Sequence, residues 1–178
     1  ATVSPFWVEL LIKADSLNDA LLEPFDFKTG SGRPAKLLDE DLKLAIEVLK
    51  NAKEPGVNLL LYGAPSLDKR HLLRTIIEGA ELTPWRVRRF DDAPRTVLPS
   101  IAYVAMRLLA DKPRTVLVVE RPAEVLHTAP SEFLRTLFGI ELSNEDILPF
   151  DENLLTTNPV PAVWLASDVS SLPEDTVA

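Results

Sequence analysis

The sequence predicts an α/β domain of three layers, in which helices flank a mainly parallel sheet. Segments with strand patterns alternate along the chain with segments of helical periodicity, which is typical of βαβ units. Two strand segments, LLLY at 59–62 and TVLVV at 115–119, are apolar almost throughout. Parallel strands that are buried on both faces have this composition. A chain of 178 residues is long enough for one domain with a substantial core.

N-terminal helices are predicted to precede the sheet. Ser4 followed by Pro5 indicates a helix start, and apolar residues recur at roughly helical spacing through residues 6–21. Residues 24–36 are interrupted by Pro, Gly and Ser and predict a loop or linker. A second helix is predicted over residues 38–52, because leucine and alanine follow one face and charged residues follow the other.

About four strands are predicted in the remaining chain, and helices are predicted between them. The strands are Leu59–Tyr62, Trp85–Phe90, Thr115–Val119 and Ala162–Ala166, and the helices are 69–79, 96–110 and 131–138. The chain therefore divides into an N-terminal helical segment and linker, residues 1–36, and an α/β core, residues 37–178.

Composition and charge exclude several classes of function. The net charge of −8 disfavours broad binding to nucleic acids, whose phosphates require a basic surface. The chain has no cysteine and only two histidines, so no metal site is predicted. No apolar run approaches the roughly 20 residues of a membrane span. We therefore expect a cytoplasmic protein without a membrane partner.

The segment NLLLYGAPSLDKR at 58–70 has the frame of a phosphate-binding P-loop, Gly-x-x-x-x-Gly-Lys-Ser/Thr. Gly63 and Lys69 occupy the positions that this pattern requires. Asp68 replaces its second glycine, and Arg70 replaces the hydroxyl residue that holds magnesium. Gly63, Lys69 and Arg70 are therefore candidate nucleotide-binding residues. For the basic cluster of Lys69, Arg70 and His71, a solvated helix face is the alternative.

Three segments in this order resemble the AAA+ family of P-loop ATPases, in particular bacterial members. They are GVNLLLYGAP at 56–65, TVLVVERPAEVL at 115–126 and NPVPAVWLASDVSSL at 158–172, which look like the Walker A, Walker B and sensor-1 segments. The resemblance covers roughly residues 37–178. It implies a P-loop NTPase fold with the Walker A strand between later strands, and ATP and Mg²⁺ as cofactors. It also implies a ring of AAA+ subunits. The family's lid and arginine finger would follow residue 178, so we expect a piece of a longer protein.

The P-loop substitutions change how the loop would treat a phosphate. A P-loop aims backbone N–H groups at phosphate oxygens, and the Asp68 carboxylate would repel a polyphosphate there. Ser66 and Asp68 are both good capping residues, so we predict that one of them caps the helix over residues 69–79. Arg70 cannot ligate Mg²⁺, which requires oxygen donors.

The other two segments are altered as well. By the resemblance, Glu120 takes the place of the magnesium-organising Asp, and Ser167 takes the place of the sensor Asn. Both are candidate catalytic residues, and for Ser167 a cap or turn at the end of the last strand is the favoured alternative. Arg121 replaces the catalytic Glu and cannot act as a base, since a guanidinium stays protonated. Glu124 is a substitute candidate for that base, and a solvated or capping Glu is the alternative.

Three functional hypotheses follow. The first is a degenerate AAA+ domain that acts as a scaffold or regulatory unit beside other AAA+ subunits or an adjacent ATPase domain. The second is an ATPase with non-standard motifs that is weakly active or requires a neighbouring subunit. The third is an unrelated α/β binding module. This last hypothesis would be rejected if the P-loop strand lay between the Walker B-like and sensor-like strands.

Overall fold

The computed structural model describes residues 17–28, 32–89, 98–122, 125 and 155–167. The elements within them are α1 (Leu17–Leu21), β1 (Leu22–Pro24), β2 (Arg33–Pro34), α2 (Asp39–Lys50), β3 (Asn58–Tyr62), β4 (Leu67–Asp68), α3 (Lys69–Gly79), β5 (Thr83–Val87), α4 (Leu98–Leu109), β6 (Thr115–Val119) and β7 (Ala162–Ala166). The predicted helix at 131–138, the helix start at Ser4 and Pro5, and Glu124 lie outside these residues.

The main sheet of the described residues has five strands in the order β1-β5-β6-β7-β3. Its pairs are parallel, except that β1 runs antiparallel to β5. The prediction of an α/β fold with a mainly parallel sheet flanked by helices is confirmed. Strands β6 and β7 and helix α3 have the predicted bounds, and β3, β5, α2 and α4 differ from prediction by a few residues at their ends.

The prediction of a loop over residues 24–36 was partly wrong. Strand β1 ends at Pro24 and forms the antiparallel edge of the main sheet by pairing with β5. Strand β2 forms a separate two-stranded parallel sheet with β4. These strands have only two or three residues, too few to show an alternating pattern, so tertiary pairing decides their conformation.

The position of β3 bears on the third hypothesis. Within the described residues, β3 pairs with β7 alone, and β7 separates it from β6. The P-loop strand therefore does not lie between the Walker B-like and sensor-like strands. The criterion stated above for rejecting an unrelated α/β module is not met.

Each face of the sheet has its own apolar core. Along β6, Val116 and Val118 face one core together with buried residues of α2 and α3. Leu117 and Val119 face the other core together with buried residues of α4. This alternation gives three layers, helix, sheet and helix, as predicted from the apolar strands. None of the described helices is long and apolar enough to cross a membrane.

Two asparagines join the amino ends of β3 and β7. The side chain of Asn158 is 1% exposed and donates to the carbonyls of Val57 and Val160, at 3.1 and 2.8 Å. Asn58 donates to the Asn158 side chain at 3.3 Å and accepts from the Trp164 indole at 2.9 Å. This network sets the register of the two strands whose opposite ends reach the site.

We expect Asn158→Ala to lower the free energy of unfolding by roughly 2 kcal/mol, since it removes three hydrogen bonds of a buried side chain and takes this donor away from the Val160 carbonyl. Urea titration followed by circular dichroism measures the change. Asn51→Ala, at an exposed helix end, is the matched control and should change stability by less than about 0.5 kcal/mol. Equal effects of the two substitutions would contradict the prediction.

Candidate functional site

A cleft of about 630 Å³ lies beside the amino end of α3, where strands β6 and β7 end. Since β3, β6 and β7 are parallel, their carboxyl ends meet at one edge of the sheet, where ligands of open α/β sheets bind. The cleft is lined by Lys28, Gly32, Pro65, Ser66, Leu67, Asp68, Lys69, Arg70, Glu120, Leu165 and Ser167. Four predicted site residues are therefore brought together. The fifth, Gly63, follows β3 and contacts Lys69.

The loop between β3 and α3 satisfies its own polar groups. The ammonium of Lys69 donates to the carbonyl oxygens of Gly63 and Ala64, at 2.8 and 3.3 Å. The Asp68 carboxylate accepts from the backbone N–H of Arg70 at 3.0 Å and caps α3. The predicted cap is thus confirmed, and Asp68 rather than Ser66 provides it. Two groups that a P-loop would turn toward a phosphate are bonded within the chain.

Residues 32–35, which we call the strap, hold the loop from the outside. Strand β2 of the strap pairs in parallel with β4 of the loop. The backbone N–H of Arg33 donates to the carbonyl of Ser66, and that of Ala35 donates to the carbonyl of Asp68. A Cβ on Gly32 would lie 2.9 Å from the Ser66 oxygen and 3.1 Å from the Asp68 nitrogen, so this approach requires glycine.

A chain of ion pairs crosses the cleft from α3 to the outer strand β1. Arg70 donates to Oε1 of Glu120 at 2.5 Å, and Arg86 donates to Oε2 at 3.3 Å. Arg86 also donates to Glu23 at 2.6 Å. These four side chains are between 24% and 33% exposed, so solvent screens the ion pairs only in part. Both oxygens of Glu120 are therefore occupied by arginines.

Lys28 lies at the mouth of the cleft and contacts two charged residues. Its carbonyl accepts from the Arg70 guanidinium at 2.9 Å, and its ammonium lies 3.2 Å from the Asp26 carboxylate. The backbone N–H of Lys28, and then its ammonium, hold the pKa of the Asp26 carboxyl below its usual range. Lys28 therefore anchors the linker to the amino end of α3.

The remaining predicted residues have different positions. Ser167 is exposed, directly follows β7 and lines the cleft. His71 lines a separate groove between α3 and residues 34–42, so it does not join Lys69 and Arg70 in one cluster. Arg121 is exposed next to Glu120. Asp168, which adjoins Ser167 in sequence, lies outside the described residues.

These residues do not fit a magnesium ion. Mg²⁺ requires oxygen ligands, and the side chain at position 70 is a guanidinium that contacts Glu120. The described part of the chain also contains no group of three or more His, Cys, Asp or Glu side chains that could hold a metal.

Three contributors to the site were missed in the sequence: Glu23, Arg86 and Gly32. Arg86 lies within a strand beside tryptophan and valine, and a charge in that setting indicates a partner on a neighbouring strand. Gly32 lies in the predicted linker, and Glu23 directly precedes it, where the helical spacing of apolar residues has ended. Only the pairing of β1 and β2 shows their roles.

No protein-family model matches the chain, and no curated protein sequence matches it. The functional interpretation therefore depends on the geometry of the cleft.

We expect Asp68→Ala to destabilise the domain by about 1 kcal/mol, because the N–H of Arg70 loses its cap. Ser66→Ala is the matched control, because Ser66 is exposed and its side chain is not the cap. Thermal unfolding of the two variants checks the prediction. A larger loss in Ser66→Ala than in Asp68→Ala would contradict it.

We expect Gly32→Ala to lower the free energy of unfolding by about 1–3 kcal/mol, since the new methyl group meets backbone atoms of the loop rather than movable side chains. The control is Lys36→Ala, an exposed position just beyond the strap, which should be nearly neutral. Hydrogen exchange of the Arg33 and Ala35 amides should accelerate in Gly32→Ala. Unchanged exchange would show that the strap tolerates a side chain there.

Proposed function

We propose that this chain contains a degenerate AAA+ domain that does not hydrolyse ATP and acts as a scaffold or regulatory unit. The observation that carries the proposal is the self-bonded loop. The Lys69 ammonium bonds to loop carbonyls, and the Arg70 N–H bonds to the Asp68 carboxylate. A phosphate would have to break both contacts before Lys69 and the loop amides could hold it.

The arrangement of the strand ends supports the AAA+ part of this proposal. Strands β3, β7 and β6 are parallel neighbours in that order, and each is followed at once by a residue that the resemblance assigns to a motif. These residues are Gly63, Ser167 and Glu120. Three motif positions at one edge of a parallel sheet are what a P-loop ATPase requires for its site.

The chemistry of the cleft supports the absence of hydrolysis. Phosphoryl transfer depends on neutralising charge on the phosphates and on positioning the attacking water. The carboxylate that would organise magnesium, Glu120, is paired with Arg70 and Arg86. Arg121 stands where a base would be and cannot accept a proton at neutral pH. Among the described residues of the cleft, the carboxylate for a metal is thus already paired, and the position of the base is held by a guanidinium.

The alternative is an ATP-binding domain with non-standard motifs. The observation that favours it is the cleft itself, whose volume of about 630 Å³ is in the range of small-molecule sites. Lys69 and Arg70 line this cleft and could turn toward a nucleotide. Such binding would require Lys69 to leave the two carbonyls that it now contacts.

A scaffold domain binds its partners through its surface, and exposed apolar side chains lie along α2 and at its N-cap. Leu38, Leu44 and Val48 are 75%, 60% and 41% exposed. Side chains of this kind are suited to contacts with another AAA+ subunit or an adjacent ATPase domain, which we propose as partners in the cytoplasm. By its charge of −8, the domain would not act on nucleic acid.

We expect calorimetry to detect no Mg²⁺-dependent binding of ATP at millimolar nucleotide, and phosphate release to equal that of buffer. Lys69→Ala is the control variant and should give the same result as the native chain. Mg²⁺-dependent binding that Lys69→Ala abolishes would overturn the proposal and favour the alternative.

A further inference from the structure

The Glu120 carboxylate is held in the cleft as a bound anion would be. Each of its oxygens accepts from a different guanidinium, Oε1 from Arg70 and Oε2 from Arg86. The side chain of Glu120 is 28% exposed, so the pair of arginines is only partly hydrated. Two arginines converging on separate oxygens of one group are typical of carboxylate and phosphate recognition.

Other cations line the same cleft. Lys69 and Lys28 line the cleft, and neither is paired with Glu120. The partners of Lys69 are two carbonyl oxygens, which are dipoles rather than charges. The cleft lining therefore carries three cationic side chains against the carboxylates of Asp68 and Glu120. Removing the charge of Glu120 would leave the three lining cations against the Asp68 carboxylate alone, with Arg70 no longer paired to an anion there.

We propose that the cleft is an oxyanion site whose occupant is the Glu120 carboxylate, and that it binds pyrophosphate without a metal when that carboxylate is neutralised. This inference rests on the proposed function, in which the loop is closed to nucleotide by the chain itself. Arg70 supplies the positive charge that a magnesium ion would otherwise bring, and its planar fork suits phosphate oxygens. Glu120 thus blocks the site rather than serving as a residual magnesium ligand.

The two roles of Glu120 make opposite predictions. If Glu120 were a magnesium ligand, neutralising it would weaken phosphate binding, and would do so only in the presence of Mg²⁺. If Glu120 blocks the site, neutralising it would strengthen phosphate binding, and would do so even when a chelator has removed any metal. Glu120→Gln distinguishes these outcomes because glutamine retains the length and shape of the side chain.

The experiment is calorimetric titration of the whole chain with pyrophosphate in EDTA, at low ionic strength. We expect E120Q to bind pyrophosphate at least about tenfold more tightly than the native chain does, because this is the gain from one charge-assisted contact. The double variant E120Q/R70A should lose this gain, because Arg70 would hold the ligand. Equal binding by E120Q and the native chain would overturn the proposal.

Glu23→Gln is the matched control. It removes the same charge from the same chain of ion pairs, but Glu23 contacts Arg86 from β1 and does not line the cleft. We expect no gain in E23Q, and a gain equal to that of E120Q would show a bulk charge effect and overturn the proposal. E120A is a second neutral variant. If neither neutral variant folded, Glu120 would be assigned to the fold, which would also overturn the proposal.

Failure of this inference is separate from failure of the proposed function. Mg²⁺-dependent binding of ATP by the native chain would reject the closed loop, whatever E120Q does. Absence of pyrophosphate binding in a folded E120Q, together with absence of ATP binding in the native chain, would reject only the blocking role of Glu120.

Discussion

Burial of β6 and β7 on both faces is the constraint on which the rest of the structure depends. Every residue of these two strands is buried, and their side chains form the centre of both cores. Polar groups can therefore enter this part of the chain only where the strands begin or end. Thr115 opens β6 and bonds to backbone carbonyls, and Glu120 and Ser167 follow directly after the two strands. The position of the cleft results from this limit on where polar side chains can lie.

The charges in the cleft are balanced by the polypeptide instead of by a cofactor. In a working P-loop, the lysine, the amides at the helix start and the metal are all directed at phosphate oxygens. Here the lysine contacts two carbonyls, the amide of Arg70 contacts Asp68, and a guanidinium contacts Glu120. Asp68 and Arg70 differ from the P-loop pattern, and their side chains make two of these contacts. The third contact is made by Lys69, which the pattern retains.

The elements with strong local signals could be predicted from the sequence. Strands β6 and β7 are short apolar runs, and α3 has an Asp cap before it and a regular apolar face, so their bounds were correct. The cap itself was predicted as Ser66 or Asp68, and local chemistry could not choose between them. The choice depends on how the strap holds the loop, which is a contact between residues more than thirty positions apart.

The remaining part of the site depends on pairings that carry no local signal. Strands β1 and β2 have three and two residues, and their conformation is set by β5 and β4. The positions of Glu23 and Gly32 follow from these pairings. The order β1-β5-β6-β7-β3 likewise depends on long-range packing, so no single segment predicts which strands are neighbours.

The asparagine network at the amino ends of β3 and β7 has a consequence for how the chain folds. Asn58 and Asn158 are 100 residues apart in sequence. Closing so long a loop costs entropy before the contact forms, and folds that depend on distant pairings are slow. During synthesis, β3 leaves the ribosome long before β7 exists. We therefore expect the docking of β3 onto β7 to be a late event in folding.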